Sequence, residues 1–219
     1  MENYDELLEL YDILLNDLYN SKDLSLINKI DEWNNLPLDE SCIFDQISLD
    51  ESLIFFYKEN ANGFTIKWEA DNSNAIIGTI QFLEYEQIIA DQKDKLFDDE
   101  DIEQNRDICF FHPIDLISPE AECGIYFNPE GSKKNNKMYY HYSGEREIYD
   151  LDLDFKGYLE MACEARVFFY WPLVLLDIKK GTEGEETKKF KAEMPKLFED
   201  FNWDAFVERY ESLRLSNNS

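Results

Sequence analysis

The sequence predicts an α+β fold, an antiparallel sheet of about four to six strands flanked by helices. Three observations predict it. Apolar residues recur at helical spacing near both ends of the 219-residue chain. Strand-like segments are grouped in the middle rather than alternating with helices, which favours antiparallel pairing over a parallel sheet. Between the two patterns, FFYKENANGFTIKW passes from helical to alternating spacing at Asn62-Gly63. The length suits one domain with appended helices: N-terminal helices over 1–35, a central domain over 36–176, and a charged linker with a helical tail over 177–219.

The elements follow in order. Tyr4, Leu7, Leu8, Tyr11, Leu14, Leu15 and Leu18 fall on one face of a first helix. Leu24, Ile27, Ile30 and Trp33 predict a second, short helix, and Pro37 opens a new section because it disfavours helix in the residue before it. Ser48 with Glu51 has the form of a capping box for a helix carrying Leu49, Leu53, Ile54, Phe56 and Tyr57. Asn62-Gly63 supplies the left-handed conformation that ends a helix at low cost. Phe64, Ile66 and Trp68 then alternate as a strand, and residues 76–82 form its antiparallel partner, interrupted by Gly78. A short helix is expected over 84–90 and an acidic loop or lid over 94–105. Three more strands are expected at 108–111, 123–127 and 138–142, with PEGSKKNNK as the connection between the last two. Asp154 can cap a helix whose inner face runs from Phe155 to Phe169, and Pro172 ends or kinks it. KKGTEGEETKK reads as a linker before a last helix bearing Trp203, Phe206, Val207, Tyr210 and Leu213.

Charge narrows the function classes. The chain has 48 Asp+Glu against 21 Lys+Arg, a net charge of −27, yet 44% of its residues are apolar and 15% aromatic. It can therefore bury a core, unlike an acidic disordered chain. Nucleic-acid binding is not expected, because it needs clustered Lys/Arg to replace counterions. A basic partner would be steered toward it, although acidity also serves solubility alone. No stretch approaches the roughly 20 apolar residues of a membrane span, and MENYDELLEL lacks the basic, then apolar, start of a signal peptide. A cytoplasmic location is expected, with the four scattered cysteines as reduced thiols.

Catalytic constellations are sparse. His112 and His141 are the two histidines, which leaves few builders for a nucleophilic triad. Cys109, His112, Cys123 and His141 are zinc-type ligands at spacings that match no compact motif. Carboxylates are too abundant to be diagnostic. Asp98-Asp-Glu-Asp101 lacks the glycine and alternation of a calcium loop. No phosphate-cradling glycine motif is present. Neither a metal nor a cofactor is expected. The run ARVFFYWPLVLL (165–176) reads as core packing rather than a ligand pocket.

Taken together, LPLDESCIF, LDESLIFFYKENANGFTIKW, IIGTIQFLEYEQII, FHPIDLI and LDFKGYLEMACEARVFFYW resemble, in this order, the SUKH superfamily. That group includes yeast Knr-type cell-wall regulators and many bacterial immunity proteins. The NGF-x-x-x-W form is also similar to a related domain in a subunit of the tubulin polyglutamylase complex. The resemblance covers roughly residues 36–176 and implies that Asn62, Gly63, Trp68, Gly78, Asp154 and Tyr158 are fold markers.

It further implies a non-enzymatic immunity protein that binds and neutralises a cognate, basic toxin. The alternatives are a scaffold or regulatory subunit of the same fold and, from another class, a small hydrolase using two convergent acids. The segment expected to meet the partner is Asp98, Asp99, Glu100, Asp101 and Glu103, because an acidic face complements a basic cleft.

Overall fold

The computed structural model of the chain describes residues 5–21, 24–28, 51–59, 62–70, 76–90, 92–93, 96–104, 106–126, 137–143 and 145–217. Seven strands form one antiparallel sheet in chain order: β1 (Leu24–Asn28), β2 (Phe64–Ala70), β3 (Ile77–Phe82), β4 (Phe111–Ser118), β5 (Ala121–Tyr126), β6 (Tyr139–Tyr142) and β7 (Ile148–Asp150). The helices are α1 (Asp5–Asn20), α2 (Glu51–Glu59), α3 (Tyr85–Ile89), α4 (Asp99–Gln104), α5 (Phe155–Glu164), α6 (Trp171–Lys180), α7 (Glu185–Leu197) and α8 (Trp203–Leu213). The α+β class with an antiparallel sheet is as the sequence predicts.

Several elements differ from expectation. Leu24–Asn28 is a strand paired with β2, not a helix, and its apolar spacing alone could not separate the two. Residues 106–110 make a 3-10 turn, and the strand expected at 108–111 begins only at Phe111. The acidic stretch after Asp98 is helical, not a loop, over Asp99–Gln104. The helix after Asp154 ends at Glu164, and Pro172 stands in the first turn of the next helix. There its missing N–H costs nothing. The expected linker is split between α6 and α7, and the expected boundary at 176/177 falls inside α6. Leu36-Pro37-Leu38, Ser48 and most of PEGSKKNNK lie outside the described residues.

Register explains the core. On the helix-covered face one cross-strand row runs Phe64, Phe82, Asp115, Cys123, Tyr140, Tyr149, each opposite the next. At its start, Phe56 of α2 and Phe155 of α5 pack against Phe82 with ring centroids 5.7 and 5.8 Å away. The end of the row passes from the core to a groove beneath α6.

Between α5 and α6 the chain takes an irregular path. Arg166, Val167 and Tyr170 have φ of 50°, 49° and 58°, a left-handed conformation uncommon outside glycine. Hydrogen bonds hold it there: Thr79 N–H donates to Val167 O (2.7 Å), Phe169 N–H to Ile77 O (2.9 Å), and Trp68 Nε1–H to Arg166 O (2.7 Å). The segment thus pairs with the first half of β3, where β4 has diverged. It also aims α6 across the β6–β7 end of the sheet.

The tail belongs to the same core. Phe190 and Met194 of α7 and Phe206 and Tyr210 of α8 are buried with it. Tyr210 donates to Leu151 O (2.9 Å), and Asp152 accepts from Arg214 Nε (3.0 Å) and Ser216 N (3.2 Å).

Candidate functional site

Each of the six residues expected to be fold markers has a structural role in the chain. Asn62 Oδ1 accepts from Tyr85 N (2.8 Å), tying the turn before β2 to α3. Gly63 has φ 87°, and a Cβ there would stand 3.1 Å from Phe82 O. Trp68 and Gly78 face each other across β2 and β3, and a Cβ on Gly78 would stand 2.1 Å from the Trp68 Nε1. The glycine therefore makes room for the indole that fixes Arg166. Asp154 caps α5 through Gly157 N (2.7 Å), and Tyr158 donates to Asp115 Oδ2 (2.6 Å).

The five acidic residues divide into two sets. Asp98 Oδ1 accepts from Glu100 N (2.8 Å) and Asp101 N (3.0 Å), while Asp101 Oδ2 accepts from Asp98 N (3.1 Å). This reciprocal cap satisfies the helix start that leaves backbone N–H groups open. Asp99, Glu100 and Glu103 are exposed. Lys93 meets Asp99 at 2.7 Å, and Arg146 bridges Glu100 and Asp101 at 3.6 and 3.7 Å. Arg146 belongs to a shallow depression shared with Glu145, Glu147, Tyr149 and Asp101.

That depression adjoins a better-formed groove, with which it shares Glu145 and Tyr149. The groove has a volume of about 360 Å³, within the range of small ligand sites. The sheet contributes Tyr140, Tyr142 and Tyr149, and α6 contributes Leu173, Leu176, Asp177 and Lys180. The start of α7 closes it with Glu185 and Glu186. Its α6–α7 wall is held by Asp177, which accepts from Thr182 Oγ1 (2.7 Å), Gly184 N (2.6 Å) and Thr187 Oγ1 (2.5 Å). Burial would raise the Asp177 pKa, but these bonds prevail and lower it. Tyr149 donates to Glu145 Oε2 (3.2 Å), while Lys180 Nζ lies 4.8 Å above the Tyr149 ring. Burial, with Glu145 and Glu147 beside it, pushes the Tyr149 phenol up to about 12. Tyr140 is 1% exposed, and its hydroxyl finds no hydrogen-bond partner among the described residues.

The histidines and cysteines are not gathered. His112 Nδ1 lies 2.5 Å from Ile88 O, Cys109 sits in the 3-10 turn, and Cys123 opposes Asp115 in the sheet. His141 Nδ1 meets Glu122 Oε1 at 2.5 Å and its Nε2 meets Glu145 O at 2.9 Å. Burial would lower the His141 pKa, but these contacts with Glu122 and Glu145 outweigh it and the net shift is upward. Among the described residues no group of three or more His, Cys, Asp or Glu could hold a metal ion. None of the described helices is long and apolar enough to cross a membrane.

The groove was missed in the sequence because its tyrosines come from two strands, β6 and β7, that only register unites. The alternation of YYHY signals that Tyr140 and Tyr142 share a face, but nothing local says that α6 and α7 stand over them. In comparisons with family models, curated proteins and solved structures, nothing matches the chain.

Proposed function

We propose that this chain is a non-enzymatic binding protein, an immunity protein of the SUKH type that neutralises a basic toxin domain by direct contact in the cytoplasm. The observation that carries the reading is the acidic surface that runs from α4 through Glu145 and Glu147 to the α6–α7 groove, on a chain of net charge −27. Complementary charge of this kind accelerates encounter with a basic cleft and disfavours acidic competitors. Neutralisation is steric and electrostatic, with no turnover.

The hydrolase alternative calls for two convergent acids, one with a raised pKa, in a common pocket. The buried carboxyl pushed up to about 6 is that of Asp115, enclosed beneath Tyr158 and away from the groove. In the groove, Asp177 is held down and engaged by its own turn. The arrangement therefore favours binding over acid–base chemistry.

Co-expression with the product of the adjacent gene tests the reading. The expected result is a stable complex and loss of that product's toxicity. A toxic product that neither binds this chain nor is neutralised by it, or a neighbourhood with no toxin, overturns the proposal.

A further inference from the structure

We infer that the groove between β6–β7 and α6–α7 is an anchor pocket for one arginine side chain of the basic partner. The inference rests on the binding-protein reading above and names the chemistry by which the partner is held. Three observations converge on a guanidinium.

The first is the floor. The Tyr140 hydroxyl is enclosed and, among the described residues, unpartnered, although a buried hydroxyl normally has a partner. An N–H group entering the groove supplies the missing donor. The second is the wall. Tyr142 is 36% exposed at the mouth, and Tyr149 already carries a cation of this chain, Lys180, 4.8 Å from its ring centroid. The groove thus already seats a positive group against this ring, and cations above tyrosine are attracted by its quadrupole. The third is charge. Glu145, Asp177, Glu185 and Glu186 line the groove against Lys180 as its base.

Arginine suits this combination better than lysine. Its flat, weakly hydrated guanidinium stacks on aromatic rings and directs several N–H groups outward in its plane. One edge can donate to Tyr140 while another faces Glu145 or Glu186. Asp177, occupied by Thr182, Gly184 and Thr187, contributes field rather than a contact. The apolar sides supplied by Leu173 and Leu176 suit the arginine methylenes.

The probe is arginine amide, titrated into the full chain and followed by NMR of the tyrosine side chains, with citrulline amide as the neutral isostere. Saturable shifts at Tyr140, Tyr142 and Tyr149 are expected with arginine amide and not with citrulline amide. Tyr140→Phe is expected to weaken binding by about three- to tenfold, the loss of one hydrogen bond. Glu186→Gln, a partly exposed position at the start of α7, weakens it without touching the core. Lys180→Gln is expected to strengthen binding, because it frees the Tyr149 face and removes a like charge.

Equal binding of citrulline amide, or shifts spread over the whole acidic surface, overturns the inference. So does a Lys180→Gln variant that binds arginine amide more weakly. If Tyr140→Phe and Glu186→Gln leave the affinity for the toxin unchanged while the toxin is still neutralised, the anchor is wrong and the immunity reading stands. If the toxin is not bound at all, that reading fails, whatever the amide titration shows.

Discussion

Asp115 shows how one buried residue gives the fold a pH dependence. It lies opposite Phe82 and Cys123 in the sheet, fully enclosed, and accepts hydrogen bonds from Tyr158 (2.6 Å) and Gln81 N (2.7 Å). Burial disfavours the carboxylate more than those two bonds stabilise it, so its pKa rises to about 6. Between the unfolded value near 4 and this folded value, the native state binds more protons than the unfolded state. Stability attributable to Asp115 is therefore greatest below about pH 4 and declines as pH rises to about 6, by roughly 3 kcal/mol in all. Asp115→Asn is expected to flatten that part of the profile. Urea unfolding of both proteins from pH 4 to 7 checks it; equal slopes would show that Asp115 has no such role. The histidine nearest the groove has the same sign in another window. His141, raised by Glu122 and Glu145 against the effect of burial, contributes stability that is lost as pH climbs through its folded pKa.

At the scale of elements, legibility followed periodicity. The helix from Asp154, the strands at β2, β3, β5 and β6, and the last helix were readable because cap, alternation and apolar stripe agreed. Val167, Phe168 and Trp171 are buried, as expected of ARVFFYWPLVLL, but the element there is not one continuous helix. Its left-handed residues are set by contacts with Trp68 and β3, nearly a hundred positions away, which local pattern does not encode. KKGTEGEETKK similarly concealed the start of α7, because most of its side chains are charged and solvent-facing, the buried Thr187 gives no apolar signal, and Phe190 lies just beyond. Phe190 is fully buried, with Phe168, Phe201 and Phe206 at centroid distances of 5.3, 5.4 and 5.1 Å. It joins the tail to the segment that pins α6. Phe190→Ala is expected to cost about 3–5 kcal/mol, the range for emptying a large aromatic site. Global unfolding by urea and by far-ultraviolet circular dichroism should show the loss in a single transition. A separate early transition confined to residues 185–217 would instead make the tail an independent unit.

For the molecule as a whole, charge and shape would make separable contributions to the complex proposed above. The charge of −27 acts over distances of roughly a Debye length, about 8–10 Å in ordinary salt, so it governs encounter. In the proposed complex the groove would act only on contact, and so would govern dissociation. Of the acidic segment expected from sequence, Asp99, Glu100 and Glu103 are exposed and would supply the first part in the proposed complex, while Asp98 and Asp101 hold α4 together. Reversing all five acids would mix lost folding with lost steering. Reversing Asp99, Glu100 and Glu103 to lysine keeps the cap and isolates the field. This triple variant is expected to slow association with the basic partner by about tenfold at low salt, with the difference shrinking as salt is added, and to change dissociation little. Tyr142→Ala, at the mouth of the groove, is expected to do the reverse: association within about twofold of the parent and dissociation faster by tenfold or more. Stopped-flow mixing across a salt series, with dissociation followed by competition, resolves the two. A triple variant whose association rate and salt dependence match the parent's would remove α4 from the encounter surface, even if Tyr142→Ala behaved as expected.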